Sequence, residues 1–523
     1  MKTDETDQPP TALSAGLRRY LYLTAAITGG IILIVEILGA KMLSPFFGTS
    51  HFVWTAQIAV TLISLAAGYY FGGWLVDRST KLSRLYFCIL FAGLYLCLAI
   101  SMLRPMAYFC LNYSLALGSI LASLFLFFVP LTLLAVTGPF VIRVLTQSTK
   151  TVGGQVGRLS AVSTVGSVLG TVLIGYVLIP FAPNSITMFV SASVLFVVVA
   201  IYFLVWQRNS QTVTQTGTAI LLAIIAGALG IRPDANSGTR GMTELARRNS
   251  NFGLMQVLES KDGAQRYYLN DLLTQNIYDP KAKQSLTVFT YMLHDLARAY
   301  TEKIDTLLGI GLGVGIVPRQ FAESGVEVDV VEINPRVADI GEEFFDFDPD
   351  QLSVHIGDGR HFLNSVEKEY DVILLDAFLG DSSPSHLMTQ ECFRSIQQRL
   401  GNEGVLVINS FGFFKKGEDF FVSSLAKTLK SVFKSVKIHD GGSGNVFFVA
   451  SDRPELKAPR TRDFSHVHPR IRSAVQVAYR NIVDASIDRG MVLRDDFNPV
   501  DFYDAGVRES IRKNLALSMQ SNR

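Results

Sequence analysis

Cysteine and net charge are what this sequence has least of. Four cysteines are spread over 523 residues with no Cys-x-x-Cys pair, and three of them (Cys88, Cys97 and Cys110) lie in or beside apolar stretches. That excludes a disulfide framework and a cysteine-based metal centre. Lys and Arg total 47 against 45 Asp and Glu, a formal charge of only +2, so no global field points to nucleic acid as a partner. The eight histidines are scattered, and the one close pair, His466-x-His468, reads as a loop coincidence; no metal is expected. A small-residue cleavage site after the first apolar stretch is also missing. The polar tail 1–19 is therefore expected to lead into an anchor and not a removable signal.

What the chain has in excess is apolar residues, 49% of the total with a mean hydropathy of +0.30, concentrated before residue 232. Apolar segments run approximately 20–43, 53–76, 84–103, 118–142, 158–181, 184–206 and 217–231. The first six are long enough to cross about 30 Å of hydrocarbon, and the seventh is short. A bilayer-embedded region over 20–231 with six or seven helices is thus expected. Gly68-x-x-x-Gly72 and Gly166-x-x-x-Gly170 suit close helix contact in lipid. Basic loops around Arg78, Lys81 and Arg84, and around Arg143, Lys150 and Arg158, place the N-terminus in the cytoplasm by the positive-inside rule. Seven crossings would put the C-terminal half outside, so the weak segment 217–231 is expected not to cross, leaving that half cytoplasmic. Glu36 lies within the first span, either as a functional carboxylate or as polar glue paired with Arg143. The stretch Gly68 to Arg78 loosely resembles a loop of major-facilitator transporters, but six or seven helices are too few for that fold.

Beyond a linker at 232–252 the composition becomes globular. Alternation over 253–278 around Lys261-Asp-Gly263 predicts a small antiparallel sheet, followed by a helix over approximately 282–300; together they form a small β-domain at 253–300. From 301 to 505 apolar strand-like runs alternate with helical patterns, which predicts a doubly wound, mostly parallel Rossmann-like sheet, with a C-terminal tail at 506–523.

Within that sheet the chain carries an adenosine-binding layout. The run from Thr306 leads into glycines at 309, 311, 313 and 315, a helix, a second apolar strand and then Glu332, 21 residues after Gly311. The glycines allow backbone to approach a ligand, and the acid is placed to accept hydrogen bonds from two ribose hydroxyls. Gly357-Asp358-Gly359 and Asp376-Ala377-Phe378 follow two further strands. Asp358 is suited to an adenine amino group, and Asp376 faces whatever reacts with the ligand. The bland alternative for each acid is a helix cap or a surface charge. Glu332, beside a solvent-facing cleft, is expected to matter for affinity and hardly for folding.

These motifs, with Tyr267-Tyr-Leu-Asn-Asp-Leu-Leu-Thr-Gln275, Tyr370-Asp-Val-Ile-Leu-Leu-Asp376 and the tail Asp495-Asp496-Phe-Asn-Pro499, make the stretch 250–505 resemble the spermidine synthase family, more closely its membrane-fused relatives. The resemblance implies a class I methyltransferase-like sheet with an N-terminal β-domain. It also implies binding of decarboxylated S-adenosylmethionine, aminopropyl transfer to a polyamine acceptor and release of 5′-methylthioadenosine, with no tightly bound cofactor. Gly311, Leu312, Gly313, Gly315, Glu332, Asp358 and Gly359 would hold the nucleotide, Asp376 would act as base or orienting carboxylate, and Gln275, Asp279, His294 and Asp381 would face the acceptor. The chain departs from the family where Leu312 replaces an acid, where Val288 and Thr290 stand for a Tyr-x-Glu pair ahead of His294, and where Asp376 to Pro384 lengthens the usual Asp-Ser-Ser-Asp-Pro.

Two chemistries stay open from the sequence: aminopropyl transfer, and lactone formation from intact S-adenosylmethionine by attack of its own carboxylate, which Leu312 slightly favours. A transporter or sensor with a non-catalytic nucleotide domain, a methyltransferase and, last, a dehydrogenase are the alternatives. The oligomeric state, including a homo-oligomer, is left open.

Overall fold

A computed structural model describes residues 13–48, 51–146, 152–207, 242–378, 384–442, 444–457 and 463–503, with scattered positions between 213 and 225. The chain divides into two compact units, Met1–Pro233 and Asp234–Arg523.

Among the described residues, the first unit contains six helices long and apolar enough to cross a membrane: α1 (Ala15–Phe47), α2 (Val53–Arg78), α3 (Leu82–Cys110), α4 (Leu115–Leu145), α5 (Val152–Leu178) and α6 (Asn184–Val205). Most of the segment 217–231 lies outside the described residues. Both small-residue motifs sit at helix contacts. A Cβ on Gly166 would lie 2.0 Å from the Ala26 carbonyl oxygen, and one on Gly68 would lie 2.4 Å from that of Thr132. Ser167 adds a hydroxyl bond to the Gly29 carbonyl at 3.0 Å. π-Helical turns at Leu124–Phe128 and Ile174–Leu178 interrupt α4 and α5, each just ahead of a proline, Pro130 or Pro180. A proline cannot donate to the preceding turn, and the widened turn accommodates the freed carbonyl. Glu36 is half-buried, whereas Arg143 is exposed.

The second unit opens with a five-stranded antiparallel sheet in the order β1 (Met242–Ser250), β2 (Gly253–Ser260), β3 (Arg266–Asn270), β4 (Leu273–Asp279) and β5 (Gln284–Ser285). The stretch 232–252 is therefore not wholly linker: β1 pairs with β2 along its length. Its sequence, Met-Thr-Glu-Leu-Ala-Arg-Arg-Asn-Ser, is polar because β1 is an edge strand with alternating exposure. The expected helix at 282–300 starts later, as α7 (Val288–Tyr300), because Gln284 and Ser285 pair with β4.

The main sheet follows: β6 (Thr306–Ile310), α8 (Ile316–Ala322), β7 (Glu327–Glu332), α9 (Pro335–Phe344), β8 (Ser353–Ile356), α10 (Gly359–Ser365), β9 (Tyr370–Leu375), α11 (Gln390–Arg399), β10 (Leu400–Phe411), α12 (Phe420–Lys430), β11 (Ser435–Asp440), β12 (Asn445–Ser451), α13 (Arg472–Arg480) and β13 (Ile482–Val483). Its order is β13-β11-β12-β10-β9-β6-β7-β8, parallel from β8 to β10 and antiparallel from β10 to β13. The central strands read as continuous apolar runs because both faces are covered. Leu307, Val372 and Val405 enter the core under α7, α8 and α9, while their neighbours Leu308, Ile373 and Leu406 enter the one under α10, α11 and α12. The chain leaves β6 toward β7 on one side and reaches β9 on the other. The crevice beyond the carboxyl ends of β6 and β9 is therefore the topological switch point, where open α/β sheets bind ligands.

The helix contact at Gly166 yields a direct expectation. Gly166→Leu should lower the melting temperature of the detergent-solubilised protein by several degrees, since overpacking costs about 1–3 kcal/mol. Gly157→Leu, with nothing within 4 Å of its Cβ position, should not. Differential scanning fluorimetry of the two variants checks this.

Candidate nucleotide-binding and catalytic site

The strand ends at the switch point are tied to one another by backbone. Gly311 N donates to the Val331 carbonyl (2.9 Å), Asp376 N to that of Ile310 (3.0 Å) and Gly357 N to that of Glu332 (3.0 Å). Gly311 has φ +98° and passes so close to the Asp376 carbonyl that a Cβ would lie 2.3 Å from its oxygen. Gly315, at φ +79°, opens α8, with a would-be Cβ 2.1 Å from the Phe347 ring. At both positions conformation and space demand glycine. Gly313 completes the loop, and Gly359 opens α10 against Ile310.

Glu332 ends β7 and is only 9% exposed, which corrects the solvent-facing setting expected from sequence. Its Oε2 accepts the Leu312 N–H at 3.0 Å and its Oε1 the Asn334 N–H at 2.8 Å. Burial pushes its pKa up, and the backbone donors only partly offset that. It is not the cap of α9; that role falls to Asn334, whose side chain accepts from Arg336 N.

Asp358, 37% exposed at the side chain, does cap a helix, since Oδ1 accepts the His361 N–H at 2.9 Å. Its Oδ2 lies 2.9 Å from His386 Nε2. Burial raises its pKa, but the bonds from His361 and His386 together outweigh it and leave the carboxyl below its usual range. The rim here is strapped by the C-terminal segment. Arg360 makes a two-pronged bond to Asp495 (2.7 and 2.5 Å), and Asn498 donates to the Ser385 carbonyl at 3.1 Å. Ile333 and Ile356 leave apolar surface exposed beside Glu332 and Asp358.

Asp376 lies in the wall of a cleft lined also by Asn276, Phe289, Thr290, Leu293, Leu312 and the glycine loop. Burial raises its pKa to about 6, against one hydrogen bond from Asn409 Nδ2 at 2.8 Å that lowers it. Leu312 is 4% exposed and contributes an apolar wall. Thr290 spends its hydroxyl on Ser285 and the Thr287 carbonyl, both at 2.9 Å.

The acceptor-side candidates separate. Gln275 is the extra residue of a β-bulge, since Tyr268 pairs with Asn276 and Leu269 with Thr274. Such bulges re-aim side chains. Its neighbour Asn276 lines the cleft. Asp279 instead caps the following turn through Lys281 N (2.9 Å) and Ala282 N (3.0 Å), with His468 Nε2 3.4 Å away. The Ala282 N–H is the largest of the effects that hold its pKa low. His294 is not among the cleft-lining residues. Its Nδ1 lies 3.0 Å from Asp295 Oδ1, which also meets His466 Nε2 at 3.1 Å, and its Nε2 accepts from Arg298 Nε at 3.0 Å. The donor atoms of His294, Asp295 and His466 lie within 4.8 Å of one another, a spacing a metal could bridge. Arg298 decides against that. A nitrogen accepting from a guanidinium carries no proton, so Nδ1 carries it and donates to Asp295 instead of ligating. The group is a hydrogen-bonded latch between α7 and the 463–471 segment. Asp381 lies outside the described residues.

Sequence reasoning missed Asn276, Phe289, Leu293, Asn409 and His386. Asn276 alone carried a local signal, being adjacent to Gln275 in the hairpin motif.

The sheet order and three carboxylates at successive strand ends define a Rossmann-like, methyltransferase-type domain. Residues 287–439 match the spermine/spermidine synthase domain. The chain is 41% identical over 140 residues to a polyamine aminopropyltransferase of Vibrio vulnificus (strain CMCP6), covering 25% of this chain and 46% of that protein. It is 29% identical over 224 residues to an N-terminal histidine N-methyltransferase of Emericella nidulans, covering 38% of each. The crystal structure of a probable spermidine synthase from Corynebacterium glutamicum ATCC 13032 aligns with 18% identity and a TM-score of 0.38, covering 42% of this chain and 84% of that one. The chain spans less than half the length of these two curated relatives. Residues 287–439 thus carry the match to the spermine/spermidine synthase domain, and the polyamine aminopropyltransferase likeness accompanies it.

Glu332→Ala should lower stability, because two buried backbone N–H groups lose their acceptor at about 1–3 kcal/mol each. It should also weaken methylthioadenosine binding at least tenfold, which is about 1.4 kcal/mol. A melting curve paired with calorimetric titration reads both.

Proposed function

We propose that this chain is a membrane-anchored, spermidine synthase-like transferase. It binds decarboxylated S-adenosylmethionine at the switch point, transfers the aminopropyl group to an amine and releases 5′-methylthioadenosine. The observation that carries this reading is Asp376: a carboxylate in the cleft wall, beside the glycine loop, with its pKa raised to about 6. Glu332 would take the ribose hydroxyls on its remaining lone pairs, and Asp358 the adenine amino group, with the exposed faces of Ile333 and Ile356 flanking the base.

The substrate's sulfonium is already a good leaving group, so the protein's contributions are positioning and proton removal. The acceptor nitrogen attacks the carbon bonded to sulfur, and that C–S bond breaks. Its electron pair returns to sulfur, giving the neutral thioether of methylthioadenosine. The proton leaving the acceptor nitrogen goes to Asp376.

One observation favours a second reading. Leu312 lines the cleft where the family carries an acid, so intact S-adenosylmethionine would meet no anion there, and its carboxylate could close a lactone without an external acceptor.

The six apolar helices support a multi-pass anchor in the cell (inner) membrane. With 217–231 not crossing, as its short length suggests, an even number of crossings returns the chain to the side of its N-terminus, which the basic loops mark as cytoplasmic.

Purified full-length protein incubated with either sulfonium, with and without putrescine, separates the readings. Aminopropyl transfer requires putrescine and the decarboxylated compound; lactone formation requires neither. Appearance of S-adenosylhomocysteine would indicate methyl transfer, and absence of methylthioadenosine under every condition would sink both proposals. Because the base works only when ionised, kcat/KM should rise as pH increases through about 6. Asp376→Asn should lower kcat by roughly 10²–10⁴-fold.

A further inference from the structure

Asp376 is held by a chain of two amides that crosses three strands. Asn409, on β10 and 2% exposed, donates from Nδ2 to Asp376 Oδ1 at 2.8 Å. Its own Oδ1 accepts from Asn445 Nδ2, on the neighbouring antiparallel strand β12, at 3.0 Å. The backbone of Asn445 is fixed in a tight turn, its N–H on the Gly442 carbonyl (3.1 Å) and its carbonyl accepting from Gly441 N (2.8 Å).

The polarity of this chain follows from its end. An ionised carboxylate can only accept, so Asn409 must present its NH₂ to Asp376 and its carbonyl to Asn445, which must then donate. Turned over, Asn409 would set a carbonyl against a carboxylate. Asn445 therefore selects the side-chain orientation of Asn409 without touching the acid.

We propose that Asn409 and Asn445 are positioning residues for Asp376. They commit Oδ1 to the relay, leave Oδ2 to take the proton from the acceptor nitrogen, and favour the ionised carboxylate at the start of the reaction.

The surroundings isolate the effect. The groups around Asp376 on β10, β12, the glycine loop and α7 are Asn409, Asn445, Gly311, Thr290 and Phe289, none of which titrates. Among the described residues, burial and Asn409 are what act on its ionisation.

The inference rests on the transferase reading for its catalytic consequence, but the relay can be tested without turnover, by following the Asp376 carboxyl titration with carbon-13 NMR. Asn409→Leu and Asn445→Ala should each move that titration upward by about one pH unit. Asn445→Gln, which keeps a donor at a half-buried position, should restore it. Methylthioadenosine affinity should stay within twofold of wild type, while kcat at pH 6 falls roughly tenfold with KM for the sulfonium unchanged. An unmoved titration in both Asn409→Leu and Asn445→Ala, with normal melting temperatures, overturns the relay. A titration that moves as expected in a protein that makes no methylthioadenosine would support the relay and refute the transferase reading.

Discussion

The carboxylate of Glu332 is the constraint on which the carboxyl-terminal edge of the main sheet depends. It sits where β7 stops, and its two oxygens hold the N–H groups of Leu312 and Asn334. One bond fixes the glycine loop after β6, and the other fixes the entry to α9. The loop needs such an anchor because its glycines, chosen for backbone approach, resist no conformational change of their own. A buried acid is costly unless hydrogen-bonded, and here the bonds that satisfy it also shape the loop.

Three acids at three strand ends are given different electrostatic settings by their surroundings. Glu332 is buried with its pKa pushed up by desolvation, Asp358 has its pKa held below the usual range by a helix N–H and His386, and Asp376 is poised between burial and one amide. Residue type alone would make them equivalent. What separates them is how far each carboxylate lies from water and how many donors reach it.

The parts legible in the sequence are those whose signal is local. Strand, glycine turn, helix, strand and acid occupy one continuous stretch from Thr306 to Glu332, and Asp358 and Asp376 each follow their own apolar run. Asn409 and Asn445 were not legible, because a buried asparagine on an apolar strand announces nothing until the antiparallel pairing of β10 and β12 brings the two together. Strand β1 was hidden for another reason: a polar edge strand has the composition of a linker. His294 misled because its place in the motif suggested the acceptor side, while Arg298, one helical turn on, fixes its proton toward Asp295. The six long apolar helices among the described residues were legible from length and hydropathy alone. Their close contacts at Gly68 and Gly166 were legible from small-residue spacing.

The environment of Asp376 shows why its two opposing influences belong together. Full burial without a donor would hold the carboxyl protonated near neutrality, and it could then accept nothing. A carboxylate open to water, or bound by several donors as Asp358 is, would be ionised but a poor base. A general base works best when its pKa lies close to the ambient pH. One apolar-walled cleft, closed by Leu312 and Phe289, supplies the upward push, and one amide of fixed orientation supplies the restraint. For the sulfonium substrate proposed above, the same apolar wall would also exclude the water that competes by hydrolysis. In the proposed reaction, basicity and protection of the substrate would thus come from a single feature, the desolvated cleft, with the amide relay keeping that desolvation from silencing Asp376.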